Sequence, residues 1–169
     1  FDSTQLNNPL HIELNTYKSQ HLNGYKDIKL SNGYGDPSLI REGDWMSGSG
    51  FDATLSLMAM NKPPSALFCA NDLMAIGAME ALKSLGLQVP HDVSVMGYDD
   101  QEISRHTHPP LSTVLLPNYE MGRTAIETLI YESNAVHNTP GSTPIKSRRM
   151  LIKADCPLVE RQSVKNLKA

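Results

Sequence analysis

The sequence predicts an α/β fold, a parallel sheet flanked by helices. Short apolar runs of strand length, SALFCA (65–70) and VSVMGY (93–98), alternate with helical patterns of 10 to 15 residues, as β-α-β units require. Both runs break off at a polar pair, Asn71-Asp72 and Asp99-Asp100. Turn chemistry separates the elements: NKPP, Gly86 in SLGL, then VPHD.

The elements follow in order. LHIEL (10–14) reads as a short strand, and Leu22, Tyr25 and Ile28 then fall at helical spacing until SNGYGDP (31–37) stops them. LIREGDW (39–45) is a strand. SGSGFDATLSLMAM (47–60) puts Phe51, Leu55 and Met58 on one helical face, with Ser47 or Ser49 placed to cap it. After SALFCA, a helix over about 72–85 carries a sheet-facing stripe of Met74, Ala78, Ala81, Leu82 and Leu85. Leu73, Ile76 and Met79 spread over its other sides, more apolar surface than one sheet needs. QEISRH is a short helical piece, THPPLSTVLL a strand after a proline break, and NYEMGRTAIETLIYES a helix with Met121, Ala125 and Leu129 on one face. VHNTPGSTP is a loop, and RRMLIKADCPLVER supplies one or two last strands.

Composition narrows the function classes. The 169 residues are 40% hydrophobic and 20% charged, with a formal net charge of -3, so the chain has no basic footprint for nucleic acid. No apolar stretch reaches the ~20 residues of a membrane span. Cys69 and Cys156 are far apart, without metal-ligand or disulfide spacing; Cys69 reads as a buried thiol. His106 and His108 alternate in a loop, but no carboxylate or thiol at useful spacing joins them, and no metal is expected. Nucleophile-elbow, phosphate-loop and zinc-protease motifs are absent, and no cofactor is expected. The chain starts at Phe1 rather than Met, and a piece of a longer protein is expected.

In open α/β sheets ligands bind beyond the carboxyl ends of the strands. Trp45, Asn71-Asp72 and Asp99-Asp100 each follow a predicted strand. A Trp ring stacks on the apolar face of a sugar or base; the alternative is a core or interface Trp. Asn71 offers donor and acceptor on one short side chain; the alternative is a turn Asn. Asp99 suits paired hydroxyls. Asp72 and Asp100 read as helix N-caps.

The stretch PPSALFCANDLMAIGAMEALKSLGLQVPHDVSVMGYDD (63–100) resembles the lactose/galactose repressor family of bacterial transcription regulators, as do HLNGY (21–25), EGDW (42–45), PPLSTVLLPNYEMG (109–122) and CPLVERQSV (156–164). The resemblance covers roughly residues 20–165 and leaves residues 1–18 unassigned. It implies a periplasmic-binding-protein-like core: 1–110 in the C-terminal subdomain, 111–140 a strand and helix of the N-terminal subdomain, 141–169 a return segment. It further implies a cytoplasmic regulator, not an enzyme, that homodimerises, binds a small effector such as a sugar, and reaches operator DNA through a helix-turn-helix domain outside this chain. The implied effector residues are Trp45, Asn71, Asp99 and His21. His21 departs from the family, which commonly has Arg there, exchanging a fixed charge and five donors for a titratable ring. Leu116 departs too, standing where some sugar-responsive members have a polar residue. A periplasmic sugar-binding protein is the alternative. Half of a two-subdomain core is expected to expose apolar surface.

Overall fold

The computed structural model describes residues 37–137 and 152–166. The expected strand at 10–14, the helical pattern after His21, and most of the 136–144 loop lie outside these residues.

A 3-10 turn, Pro37–Leu39, leads into chain without regular structure, then helix α1 (Ser47–Met58), strand β1 (Ala66–Phe68), helix α2 (Asp72–Ser84) and strand β2 (Ser94–Met96). A second 3-10 turn, Glu102–Arg105, precedes strand β3 (Thr113–Val114), helix α3 (Asn118–His137) and strand β4 (Leu158–Val159). β1 and β2 pair in parallel with Phe68 opposite Met96. Parallel bridges at Met96–Ser112 and Asp99–Leu115 carry the pairing on toward β3, which pairs antiparallel with β4. Ser163 completes this region: its carbonyl accepts from Val95 N–H (2.8 Å), its hydroxyl donates to the Val95 carbonyl (2.6 Å), and the same hydroxyl oxygen accepts from Ser112 N–H (2.8 Å).

Three expectations are corrected. LIREGDW forms no strand; residues 40–44 carry no regular secondary structure and join no ladder. The residue before α1 is Met46, with no side-chain cap. Ser47 is already helical, and the Ser49 hydroxyl instead accepts from Asp44 N–H (3.1 Å) and donates to the Met46 carbonyl (2.9 Å). α1 buries Gly50, Thr54 and Leu57, a face one residue away from the expected one. Its partner is α2. The core joins Ala75, Ala78, Met79 and Leu82 of α2 to Val93, Val95 and Leu111, while Leu85 is exposed. α2's surplus apolar surface is thus largely used within the chain: Met79 is buried, and Leu73 and Ile76 are half-buried. Gly86 ends this helix at φ 74°, as expected of a left-handed C-cap.

The α1–α2 crossing is close because glycine stands on both sides. A Cβ on Gly77 would lie 1.8 Å from the Ser47 carbonyl oxygen, and one on Gly50 2.1 Å from that of Met74. Both obstacles are backbone. α3 differs: Tyr119, Met121, Ile126, Leu129, Ile130 and Tyr131 are all exposed and spread around the helix, so neither the expected Met121–Leu129 face nor any other apolar side is covered among the described residues.

Gly77→Ala is expected to destabilise the protein by about 1–3 kcal/mol through forced separation of α1 and α2. Gly48→Ala, which meets nothing within 4 Å, is expected to be neutral or stabilising by up to about 1 kcal/mol. Urea denaturation midpoints of the two variants against wild type check both.

Candidate functional site

The first turn of α2 organises the carboxyl edge of the sheet. Asn71, not Asp72, is the N-cap: its Oδ1 accepts from Met74 N–H (2.8 Å), and its Nδ2 donates to the Trp45 carbonyl (2.9 Å). Asp72, one residue inside the helix, is fully buried. Its Oδ1 accepts from the Thr113 hydroxyl (2.6 Å) and its Oδ2 from Gln101 N–H (2.7 Å). The cap therefore falls on Asn71 rather than on Asp72 as the sequence suggested, and Asp72 crosslinks the sheet instead. Gly97 makes this possible, since a Cβ there would come within 2.3 Å of Asp72 Oδ1. Burial, the largest influence, raises the Asp72 pKa; the Thr113 and Gln101 hydrogen bonds oppose it, and the charges of Asp99 and Asp100 reinforce it.

Asn71 and Asp99 each lie three residues beyond the paired Phe68 and Met96, at the same end of neighbouring parallel strands. Asp99 takes φ 107° and Asp100 φ 51°. Asp99 N–H donates to the Val114 carbonyl (2.9 Å), and its Oδ2 accepts from Gln101 Nε2 (3.3 Å). Leu116 sits beside it, its N–H donating to the Asp99 carbonyl (3.5 Å). Asp100 caps no helix; the N-cap of the 3-10 turn is Gln101. The Asp100 carboxylate instead pairs with Arg161 at 2.5 Å and accepts from the Ser104 hydroxyl (3.3 Å). Burial works to raise the Asp100 pKa, but the Arg161 hydrogen bond and charge, with Ser104 and Arg105, outweigh it and hold the carboxyl below its ordinary value.

Trp45 is 39% exposed at φ 72°, held by Asn71. Positive φ in non-glycine residues costs of order 1–3 kcal/mol and gathers at ligand clamps; Trp45 and Asp99 both carry it. Trp45 also borders a mainly apolar cavity of about 250 Å³ between α1, β1 and residues 39–45, walled by Leu39, Ile40, Leu57, Leu67 and Phe68. Neither Asn71 nor Asp99 lines that cavity, whose walls suit packed side chains better than a polyol. His21 lies outside the described residues. Cys69 packs against the core, its thiol pushed up to about 12 by burial and by Asp72, which disfavours the thiolate. Among the described residues no His/Cys/Asp/Glu group could hold a metal, and no helix is long and apolar enough to cross a membrane.

Asn71 and Asp99 thus stand together beyond the ends of two parallel strands, with Trp45 tied to them through Asn71. Such an edge is where open α/β proteins bind their ligands. Residues 14–164 match the family model described as "Periplasmic binding protein-like domain". The HTH-type transcriptional repressor CytR of Escherichia coli (strain K12) is 36% identical over 132 residues, 78% of this chain and 36% of that protein. The ribose operon repressor of Haemophilus influenzae is 38% identical over 115 residues, 64% of this chain and 33% of its own. The Lac repressor bound to ONPG superposes with a TM-score of 0.73 at 33% identity, over 86% of this chain and 41% of that one. The chain belongs to the periplasmic-binding-protein-like family, within its lactose/galactose repressor branch, and spans about a third of the length of these curated relatives.

Sequence reasoning assigned no role to Arg161, Ser163, Thr113 or Gln101. Arg161 and Ser163 lie inside the quoted CPLVERQSV, but nothing local indicates a partner 61 residues away.

The raised Asp72 pKa has a definite sign. The folded state binds this proton more tightly than the unfolded state, so Asp72 costs stability progressively as pH rises from its ordinary 3.8 through its raised value. Asp72→Asn is expected to remove that decline, gaining on wild type between about pH 4 and about pH 7. Asp72→Ala removes the same decline but strands both Gln101 N–H and the Thr113 hydroxyl, and is expected to be about 1–3 kcal/mol less stable than Asp72→Asn at either pH. Urea denaturation at both pH values separates the two variants.

Proposed function

We propose that this chain is the effector-binding and dimerisation part of a cytoplasmic bacterial transcription regulator, not an enzyme. The effector is a small sugar held by Trp45, Asn71, Asp99 and His21. Residues 1–110 form the C-terminal subdomain, 111–140 a strand and helix of the N-terminal subdomain, and 141–169 a return segment. The observation that carries the reading is Asp99, set at φ 107° beyond β2 and one strand from the Asn71 that holds Trp45. Trp45 supplies a stacking face and Asp99 an acceptor for vicinal hydroxyls. Asn71 retains one N–H and one lone pair beyond its cap and its bond to Trp45, enough to meet a hydroxyl as well.

A sugar that binds one arrangement of the two subdomains better than the other shifts their equilibrium by its differential affinity. A two-fold homodimer matches a palindromic operator read by paired helix-turn-helix domains. The relatives named above are repressors, which favours regulation over periplasmic transport.

Titration of the full-length protein with D-ribose, cellobiose and other neutral sugars, followed by Trp45 fluorescence, tests this. One sugar class is expected to give a saturable change, weakened at least about tenfold in Asp99→Ala by loss of a charge-assisted hydrogen bond. A correctly folded protein that responds to no sugar refutes the sugar assignment.

A further inference from the structure

Two consecutive residues at positive φ, Asp99 and Asp100, persist only where their surroundings over-determine them. One set of restraints comes from the sheet side: Asp99 N–H to the Val114 carbonyl, and Gln101 N–H to Asp72. The other comes from the far end of the chain. Arg161 is 14% exposed and the Asp100 side chain 6%. Arg161 Nη2 donates to Asp100 Oδ1, while its Nη1 donates to the Leu111 carbonyl (2.7 Å) and the Ser104 hydroxyl (3.0 Å). Its backbone N–H is fixed on the Ser112 hydroxyl (2.9 Å). Arg105 approaches the second Asp100 oxygen at 3.6 Å, with its own side chain 56% exposed. A planar guanidinium can serve three acceptors at once; an ammonium on a flexible stem cannot hold the same fork.

We propose that Arg161 is a positioning residue that clamps Asp100 and thereby holds the Asp99 turn in the shape that presents its carboxylate to effector. The link to effector rests on the function proposed above; the clamp itself does not.

Amide hydrogen exchange on the full-length protein without ligand tests the clamp. In Arg161→Met, the Asp99 and Gln101 amides are expected to exchange at least about tenfold faster, by local opening, while Cys69 and the interior of α2 are unchanged. Arg161→Lys is expected to fall between Met and wild type, and Arg105→Met to match wild type. Acceleration spread evenly over the protein, or none at residues 99–101, overturns the proposal. If Arg161→Met does not fold, Arg161→Lys must still show the local acceleration. Titration with D-ribose and cellobiose then tests the link to Asp99: the affinity lost in Arg161→Lys is expected to vanish in an Asp99→Asn background. Fully additive losses overturn the link. If neither sugar binds wild type, the site assignment fails, while the exchange result still decides the clamp.

Discussion

The buried Asp72 carboxylate is the constraint on which the rest of the rim depends. A charge out of water is costly unless its lone pairs are filled. Here both oxygens are filled, one by the Thr113 hydroxyl and one by Gln101 N–H, and the start of α2 adds the favourable end of the helix dipole. The cost is reduced rather than removed, as the raised pKa shows. In return a single side chain joins α2, the turn after β2 and strand β3, three segments that local propensity alone would leave independent.

Asn71 extends the same logic to Trp45. Its oxygen caps the helix, and its amide holds the carbonyl of a residue at φ 72°. The first turn of α2 therefore fixes both halves of the rim, Trp45 through Asn71 and the Asp99 turn through Asp72. The glycine crossing then locks α2 against α1, whose first residues follow Trp45 directly. A displacement of α2 would move stacking face and acceptor together, so the aromatic and the carboxylate behave as one unit.

Much of this was legible in the sequence because it rests on local rules. Strand-length apolar runs, the 3.6-residue periodicity of α2 and the Gly86 stop all follow from short-range patterns, and two of those runs put Asn71 and Asp99 beyond strand ends, whereas the strand expected before Trp45 did not form. The failures share a cause. Whether Asn71 or Asp72 caps α2 depends on Thr113 and Gln101 waiting across the sheet, 41 and 29 residues from Asp72. Asp100 looked like a cap because its true partner, Arg161, is distant in sequence. LIREGDW has strand composition, but a strand exists only where a neighbouring ladder does, and composition cannot supply the neighbour. Met121 and Leu129 read correctly as one helical face, yet periodicity says nothing of what covers it.

The buried acids of the rim are held in two different ways. Asp72, Asp99 and Asp100 lie close enough for the latter two to raise the Asp72 pKa. Arg161 compensates Asp100, and Arg105 reinforces it from the exposed side. No comparable cation is paired with Asp72 among the described residues, where neutral donors alone satisfy it. A carboxylate clasped by a guanidinium keeps its charge more readily, while one met only by neutral donors is driven toward its protonated form by burial and by its acidic neighbours. Asp100 and Asp72 are therefore displaced in opposite directions from the same ordinary value, although both serve to tie the Asp99 turn to distant parts of the chain.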